Sequence, residues 1–274
     1  MSKFTPLGLH ALVTLISVYY NGINAFAIIG ESTPLRAKDY PNICMIITTT
    51  PSRESFFSND EVNESVCSGT LITPTRVLTA AHCFGKNFNI SESNIKVECG
   101  NETRHGESVK LPAPHLWPDN EKPKSNIDYA IIDLSYEIVL KTTSSLQIAK
   151  DSSLFFDQDI TLKSEVSCSV FGFGTGPSGN IGYLRTASLD SLKFLIYKNH
   201  SSATNKMEPE TIYAWNSGEP LPVSTDRGDS GGPLFCTLPG SIPTLVGVIT
   251  GYQFNHDTKL RVIDYFTPIW NVPL

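Results

Sequence analysis

The amino-acid sequence predicts an all-β fold of many short strands connected by turns. Short apolar or alternating segments recur along the chain, and turn-forming residues separate them, for example at 73–75, 174–177 and 239–240. The chain of 274 residues contains 19 glycines and 18 prolines, a frequency that argues against long helices. No segment repeats with the period of about 20 to 50 residues that is typical of solenoids and propellers. These observations together favour a β-sandwich or a β-barrel.

Eight segments fit the strand pattern best, because each is a short apolar or alternating run bounded by turn residues. They are residues 69–73, 76–81, 95–99, 129–134, 167–173, 192–197, 211–215 and 244–250. Residues 232–236, followed by Pro239 and Gly240, predict a further short strand and a turn. A polar stretch at 142–159 is the best internal boundary of the chain.

Residues 1–27 have the composition of a secretory signal peptide. Lys3 is their one charged residue, an apolar stretch at 7–20 follows, and the segment ends in the small-x-small pattern Ala-Phe-Ala that signal peptidase cleaves. We therefore expect a secreted or periplasmic protein whose mature chain begins at Ile28. The alternative is an uncleaved membrane anchor, because no charged residue occurs between Lys3 and Glu31 and the segment is long enough to cross a bilayer.

Composition and charge limit the partners of the chain. The formal net charge is −6 and no run rich in lysine or arginine occurs, so the sequence does not indicate nucleic-acid binding. Neither the C-x-x-C nor the H-E-x-x-H spacing is present, and we expect no metal ion or other cofactor. All 6 cysteines follow the predicted signal peptide, and an even number in an exported chain predicts that they pair as disulfides.

Three short segments carry a histidine, an aspartate and a serine, which together are suited to nucleophilic catalysis. They are residues 78–83 with His82, 126–134 with Asp128 and 226–234 with Ser230. A serine hydroxyl is a weak nucleophile unless a histidine accepts its proton, and a buried carboxylate orients that histidine. Each residue alone has an ordinary structural explanation, but the three together favour a catalytic site.

The segment around Ser230 also matches the Gly-x-Ser-x-Gly pattern of the α/β-hydrolase nucleophile elbow. That fold requires an acidic residue and then a histidine downstream of the serine. Here His256 is the only histidine after Ser230, and no Asp or Glu lies between them. The elbow must also lead into a helix, whereas residues 232–236 predict a strand, so this alternative fails.

The three segments resemble the signature segments of the trypsin/chymotrypsin-type serine proteases, at residues 79–83, 128–131 and 228–233. The resemblance extends over nearly all of residues 28–274. It implies two packed six-stranded antiparallel β-barrels with the catalytic cleft between them, the first at about 28–145 and the second at about 146–274. Prolines near the end of the chain leave room only for a C-terminal helix that is short or absent.

The resemblance also implies a role for each site residue. Ser230 attacks the scissile carbonyl, His82 acts as general base and then as general acid, and Asp128 orients the histidine. The backbone N–H groups of Gly228 and Ser230 form the oxyanion hole. The implied activity is that of a serine endopeptidase that hydrolyses peptide bonds through an acyl-enzyme.

A charged pair between Ile28 and Asp229 is a further implication. In this family the free amine of the mature N-terminus pairs with the aspartate before the nucleophile, and the usual N-terminal Ile-Val-Gly-Gly corresponds here to Ile-Ile-Gly-Glu. Because Ile28 directly follows the predicted signal peptide, we expect signal peptidase itself to free its amine. The alternatives are a coincidental match and further trimming by another protease.

Disulfide pairing is implied in the same way. Two pairs match the pairing of the family, and the two cysteines that remain form the third pair. The expected pairs are Cys67–Cys83, Cys168–Cys236 and Cys44–Cys99.

The implied specificity pocket departs from the family pattern. Ser224, six residues before the nucleophile, offers no charge where trypsin-like enzymes carry aspartate, and Thr250 and Tyr252 belong to a strand that replaces the usual Ser-Trp-Gly pattern. These residues favour apolar or aromatic side chains at the cleaved position. One alignment puts Asp264 on the pocket wall, which would favour basic side chains instead.

Two other functions stay open at this point. A protease-like binding protein that has lost turnover normally lacks one of the three catalytic residues, which are all present here, but an occluded cleft could silence an intact site. Esterase action on small esters would be a side activity of the same site. The expected partners are protein or peptide substrates and a protein inhibitor, with no nucleic acid and no membrane after signal removal. We expect a monomer.

Overall fold

The computed structural model describes residues 28–30, 32–51, 62–85, 88–113, 126–140, 146–157, 161–175, 181–190, 193–197, 200–201, 206–207, 210–215, 223–254 and 261–274. The predicted signal peptide lies outside these residues. Within the described ranges, no helix has both the length and the apolar character needed to cross a membrane. The regular elements of the described ranges are β-strands and short 3₁₀ helices.

The strands are numbered here in chain order. They are β1 (Ile29–Gly30), β2 (Thr33–Pro34), β3 (Ile43–Pro51), β4 (Val62–Thr73), β5 (Arg76–Thr79), β6 (Asn94–Cys99), β7 (Glu102–Lys110), β8 (Ala130–Leu134), β9 (Gln147–Ile148), β10 (Ser167–Gly172), β11 (Arg185–Ser188), β12 (Lys193–Tyr197), β13 (His200–Ser201), β14 (Lys206–Met207), β15 (Thr211–Trp215), β16 (Val223–Ser224), β17 (Pro233–Thr237), β18 (Thr244–Phe254) and β19 (Arg261–Pro268). The 3₁₀ helices of the described residues are Ala37–Asp39, Ala81–Cys83, Ile90–Glu92 and Ile269–Asn271.

Six strands of the first half close into a barrel in the order β3, β4, β5, β8, β7 and β6. All of its strand pairs are antiparallel. Successive side chains of a strand point to opposite faces, so that in β6 the buried Ile95 and Val97 alternate with the exposed Asn94 and Lys96. The inward-facing side chains, Ile132 among them, form one buried hydrophobic core inside the barrel.

The second sheet has nine strands in the order β12, β15, β19, β18, β17, β10, β11 and β2, with β9 beside β18, and all of them except β2 come from the second half of the chain. Its core includes the fully buried Leu234, Val248 and Phe266. The fold is therefore the predicted chymotrypsin-like double barrel. One detail differs from the all-antiparallel expectation, because β9 runs in the same direction as β18 and pairs with it in parallel.

The eight predicted strands are present in the structure, although β4 begins earlier and β18 ends later than predicted. Among the strands of eight or more residues, β3, β7 and β19 were not predicted. β7 has the sequence ETRHGESVK and carries no run of apolar residues, and its side chains alternate between half-buried and exposed. Its backbone still pairs with both β6 and β8 and so closes the barrel. Backbone hydrogen bonding therefore stabilises this strand, although its sequence has no hydrophobic pattern that would predict it.

The C-terminal segment contains only the single 3₁₀ turn Ile269–Asn271, in agreement with the expected short or absent helix. Pro268 directly precedes this turn with an extended backbone and cannot donate a backbone hydrogen bond. The indole N–H of Trp270 donates to the Glu210 carboxylate at 2.7 Å, which anchors the turn on the second half.

Three disulfides join neighbouring elements, and no described cysteine is free. One lies between β3 and β6, one between β4 and the 3₁₀ helix Ala81–Cys83, and one between β10 and β17. They are Cys44–Cys99, Cys67–Cys83 and Cys168–Cys236.

Candidate active site

His82 lies in the 3₁₀ helix after β5, where the carboxylate of Asp128 holds it by two contacts. The His82 Nδ1 atom is 2.6 Å from Oδ2 of Asp128, and the His82 backbone N–H donates to Oδ1 at 2.9 Å. Asp128 is fully buried, whereas the imidazole is partly exposed. Because the carboxylate favours a proton on Nδ1, Nε2 is left as a proton acceptor. The pair has the geometry of a general base that a carboxylate orients.

The turn that carries Asp128 is supported from the other half of the chain. The Thr267 hydroxyl donates to the Asp128 carbonyl at 3.3 Å, across a sequence separation of 139. The Asn271 side-chain amide donates to the Asn126 carbonyl at 2.9 Å, across a separation of 145. Residues near the C-terminus therefore fix the backbone position of this aspartate.

His82 and Ser230 line the same cavity, which has a volume of about 280 Å³. The histidine comes from the first half of the chain and the serine from the second, so the fold brings the two segments to one cleft. The other lining residues are Thr225, Asp226, Arg227, Ile249, Thr250, Gly251 and Tyr252.

Among the described residues, the backbone turn before Ser230 leaves two N–H groups without a protein acceptor. Gly228 has φ 91°, and a Cβ at this position would lie 2.6 Å from the Cα of Gly174, so only glycine fits. The Arg227 carbonyl accepts from the Thr175 N–H at 3.2 Å. Because a trans peptide directs its C=O and N–H to opposite sides, the Gly228 N–H points away from Thr175. Within the described residues, neither the Gly228 nor the Ser230 N–H donates to a protein acceptor.

Asp229 is fully buried and accepts three backbone hydrogen bonds. Its Oδ2 accepts from the Ile28 nitrogen at 2.9 Å and from the Asp226 N–H at 2.9 Å, and its Oδ1 accepts from the Gly174 N–H at 3.0 Å. Burial raises the pKa of Asp229 to about 6, and these donors oppose that rise. The predicted partners Ile28 and Asp229 are thus in direct contact in the structure.

The four residues predicted for the specificity pocket divide into two groups. Thr250 and Tyr252 line the cavity, whereas Ser224 and Asp264 are fully buried and do not line it. The Ser224 hydroxyl donates to the Asp264 carboxylate at 2.6 Å. The same carboxylate accepts from the Thr225 N–H at 3.1 Å and from the Thr225 hydroxyl at 3.2 Å. Asp264 therefore lies behind the Thr225 wall of the cavity.

Three residues that shape this region were missed by the sequence analysis. Ser68 hydrogen-bonds to the nucleophile turn through its hydroxyl and its backbone N–H. Thr175 orients the peptide before Gly228, and Thr225 both lines the cavity and binds Asp264. The sequence offered one weak signal for them, since each lies within or next to a segment already noted. No local pattern indicates contacts between segments that are distant in the sequence.

Comparison with known proteins gives the family of the chain. The family model named Trypsin matches residues 48–273, which is most of the sequence. The chain belongs to the trypsin family. The matched residues of this trypsin-family chain include His82, Asp128 and Ser230, and the match begins within β3 and ends at the last residue but one.

Several relatives of this trypsin-family chain are named as proteases of the same kind, at low identity. Human granzyme B is 29% identical over 185 residues, which cover 65% of this chain and 68% of granzyme B. The dog chymotrypsin-like elastase family member 1 is 26% identical over 218 residues, which cover 75% of this chain and 80% of the elastase. Mouse chymotrypsin-C is 27% identical over 205 residues, which cover 71% of this chain and 70% of chymotrypsin-C. Membership of the trypsin family therefore supports a serine-protease function.

Proposed function

We propose that the protein is an exported serine endopeptidase that hydrolyses peptide bonds through an acyl-enzyme. The observation that carries the proposal is the double contact between the buried Asp128 carboxylate and His82, in a cleft that Ser230 also lines. Membership of the trypsin family supports the same chemistry. Three disulfides support passage through an oxidising compartment.

The reaction proceeds in two halves, each with one proton transfer to His82 and one from it. In acylation the Ser230 Oγ adds to the scissile carbonyl carbon while Nε2 of His82 takes the hydroxyl proton, and that proton then passes to the amine as the C–N bond breaks. In deacylation a water molecule attacks the ester carbonyl, loses its proton to His82, and Ser230 leaves with that proton. The Asp128 carboxylate stabilises the imidazolium of His82 in both acylation and deacylation.

The oxyanion of each tetrahedral intermediate is bound by the N–H groups of Gly228 and Ser230. The hydrogen bond from Thr175 to the Arg227 carbonyl supports this role, because it turns that carbonyl away and the Gly228 N–H towards the opposite side. Donors held in advance at the point where charge develops stabilise the transition state more than the ground state.

The Ile28 ammonium group, once freed by signal peptidase, completes the site. Its nitrogen already lies 2.9 Å from the buried Asp229 carboxylate, which a cation would neutralise. In the full chain Ile28 has φ 36°, a strained value for a β-branched residue. Cleavage after residue 27 removes the carbonyl carbon that defines this angle, and the strain disappears with it. A processed protein that begins anywhere but Ile28 would contradict this route.

Apolar or aromatic side chains are the proposed preference at the cleaved position. Ile249 and Thr250 line the cavity, whereas the Asp264 carboxylate is covered and already accepts three hydrogen bonds. A panel of matched peptide substrates that differ only at this position tests the preference. Cleavage confined to bonds after Arg or Lys would contradict it and would assign the selection of substrate to Asp264.

Covalent labelling tests the catalytic proposal directly. The protein that begins at Ile28 is treated with an organophosphate-type serine reagent, and the labelled peptide is identified by mass spectrometry. We expect one label on Ser230, loss of peptide hydrolysis in proportion to labelling, and neither labelling nor hydrolysis in Ser230→Ala. A folded, correctly processed protein that is not labelled would favour the catalytically silent binding protein instead.

A further inference from the structure

We propose that Ser68 is a positioning residue for the oxyanion hole, a role that rests on the function proposed above. Ser68 lies in β4, is fully buried, and contacts both residues whose N–H groups would bind the oxyanion. Its hydroxyl donates to the Gly228 carbonyl at 2.7 Å, and its backbone N–H donates to the Ser230 carbonyl at 2.8 Å. One residue of the first half therefore holds the nucleophile turn of the second half at two points.

The hydrogen bond from the Ser68 hydroxyl to the Gly228 carbonyl is important because glycine has more backbone freedom than any other residue type. The peptide before Gly228 is held by the bond between Thr175 and the Arg227 carbonyl. The peptide after Gly228 is held by the Ser68 hydroxyl. With both peptides fixed, the Gly228 N–H keeps one direction. Removal of the hydroxyl releases the second peptide and takes a donor away from a buried carbonyl.

The Ser68 hydroxyl is itself held in one orientation. Its oxygen accepts from the Phe173 N–H at 2.9 Å, so its single proton is directed at Gly228. The Ser68 carbonyl accepts from the Thr79 hydroxyl at 2.7 Å. The preceding cysteine forms the disulfide to the residue after His82. Ser68 thus joins the histidine helix to the nucleophile turn without touching the reacting atoms.

The test compares Ser68→Ala with Ser68→Thr, which keeps a hydroxyl, and with Thr48→Val, which removes another buried hydroxyl of the same barrel. Active-site titration on Ser230 counts the competent molecules. We expect Ser68→Ala to lower kcat roughly 10-fold to 100-fold with little change in KM. A peptide aldehyde, whose adduct carries the oxyanion, should bind more weakly by the same factor. Ser68→Thr should recover most of this loss, and Thr48→Val should leave both quantities unchanged.

Two outcomes would overturn the proposal for Ser68. One is an unchanged kcat and an unchanged aldehyde affinity in Ser68→Ala. The other is an equal loss of affinity for the aldehyde and for the matching product peptide, because that result indicates a general distortion of the cleft. If Ser68→Ala does not fold, Ser68→Cys, whose thiol is a weaker donor of similar shape, takes its place and should show a smaller loss of the same kind. An unsubstituted protein that fails to label at Ser230 refutes the endopeptidase function itself, so the two failures are distinguishable.

Discussion

The buried Asp229 makes the stability of the protein depend on pH in a way that reports the state of the Ile28 nitrogen. Burial raises the pKa of Asp229 from 3.8 to about 6 when that nitrogen is a backbone amide. Between these two values the folded protein binds more protons than the unfolded chain, so the free energy of unfolding falls as the pH rises. A difference of about two pKa units corresponds to roughly 3 kcal/mol, since one unit is about 1.4 kcal/mol.

Two forms of the chain separate the contribution of the amine from that of burial. A form that begins at Ala27 keeps the amide at Ile28, whereas a form that begins at Ile28 carries an ammonium group beside Asp229. An ammonium group stabilises the carboxylate and lowers the pKa of Asp229, so the second form should lose much less stability on going from pH 4 to pH 7. Asp229→Asn in each form removes the titration and is the reference.

The assay is urea unfolding with the disulfides intact, at several values between pH 4 and pH 7. The measured quantity is the free energy of unfolding of Asp229→Asn minus that of the unsubstituted chain. From pH 4 to pH 7 this difference should rise by about 3 kcal/mol in the Ala27 form and by clearly less in the Ile28 form. Identical pH dependence in the two forms would refute a direct pair between the amine and Asp229. A flat profile in the Ala27 form would refute the argument from burial.

Three further changes test the site and the scaffold. Asp128→Asn should lower kcat by about 10³- to 10⁴-fold, since the amide no longer favours the required tautomer of the histidine, and steady-state kinetics that stay within tenfold would contradict this. Gly174→Ala should destabilise the protein by about 1–3 kcal/mol and reduce activity, because its Cβ would lie 2.6 Å from the Arg227 carbonyl oxygen. Gly240→Ala is the control: its Cβ meets no atom within 4 Å, so it should cost only the strain of a positive φ and keep full activity. The pair Cys44→Ala and Cys99→Ala opens a loop with a separation of 55, so urea unfolding should show a loss of about 4 kcal/mol, and an unchanged midpoint would contradict the bond.

The segments around His82 and Ser230 could be predicted from the sequence because close packing imposes local residue types there. A Cβ at Gly231 would lie 2.0 Å from the Thr79 hydroxyl oxygen, and a Cβ at Gly232 would lie 2.2 Å from the Phe171 carbonyl. Glycine is therefore required beside Ser230 whatever its chemical role. Such constraints leave short sequence patterns that can be recognised without coordinates. The apolar strands β5 and β8, which pair with each other in the first barrel, are equally recognisable.

Other parts of the site depend on contacts between distant segments and leave no local pattern. Ser68 and Gly228 are separated by 160 positions, and Thr225 and Asp264 by 39. A serine after a cysteine, or a threonine after a serine, is unremarkable in any sequence. The depth of Asp264 behind the cavity wall depends on the bulged register between β18 and β19, which a linear alignment cannot determine.

The hydrogen bonds from Thr267 and Asn271 to the Asp128 turn bear on the order in which a newly made chain matures. All six strands of the first barrel precede residue 135, so a nascent chain can close that barrel before the second sheet exists. The turn that carries Asp128 acquires its last two supports only after roughly 140 more residues have emerged and docked, as the separations of 139 and 145 require. For the endopeptidase proposed above, the backbone that carries Asp128 therefore reaches its fully supported position only after the C-terminal residues have docked.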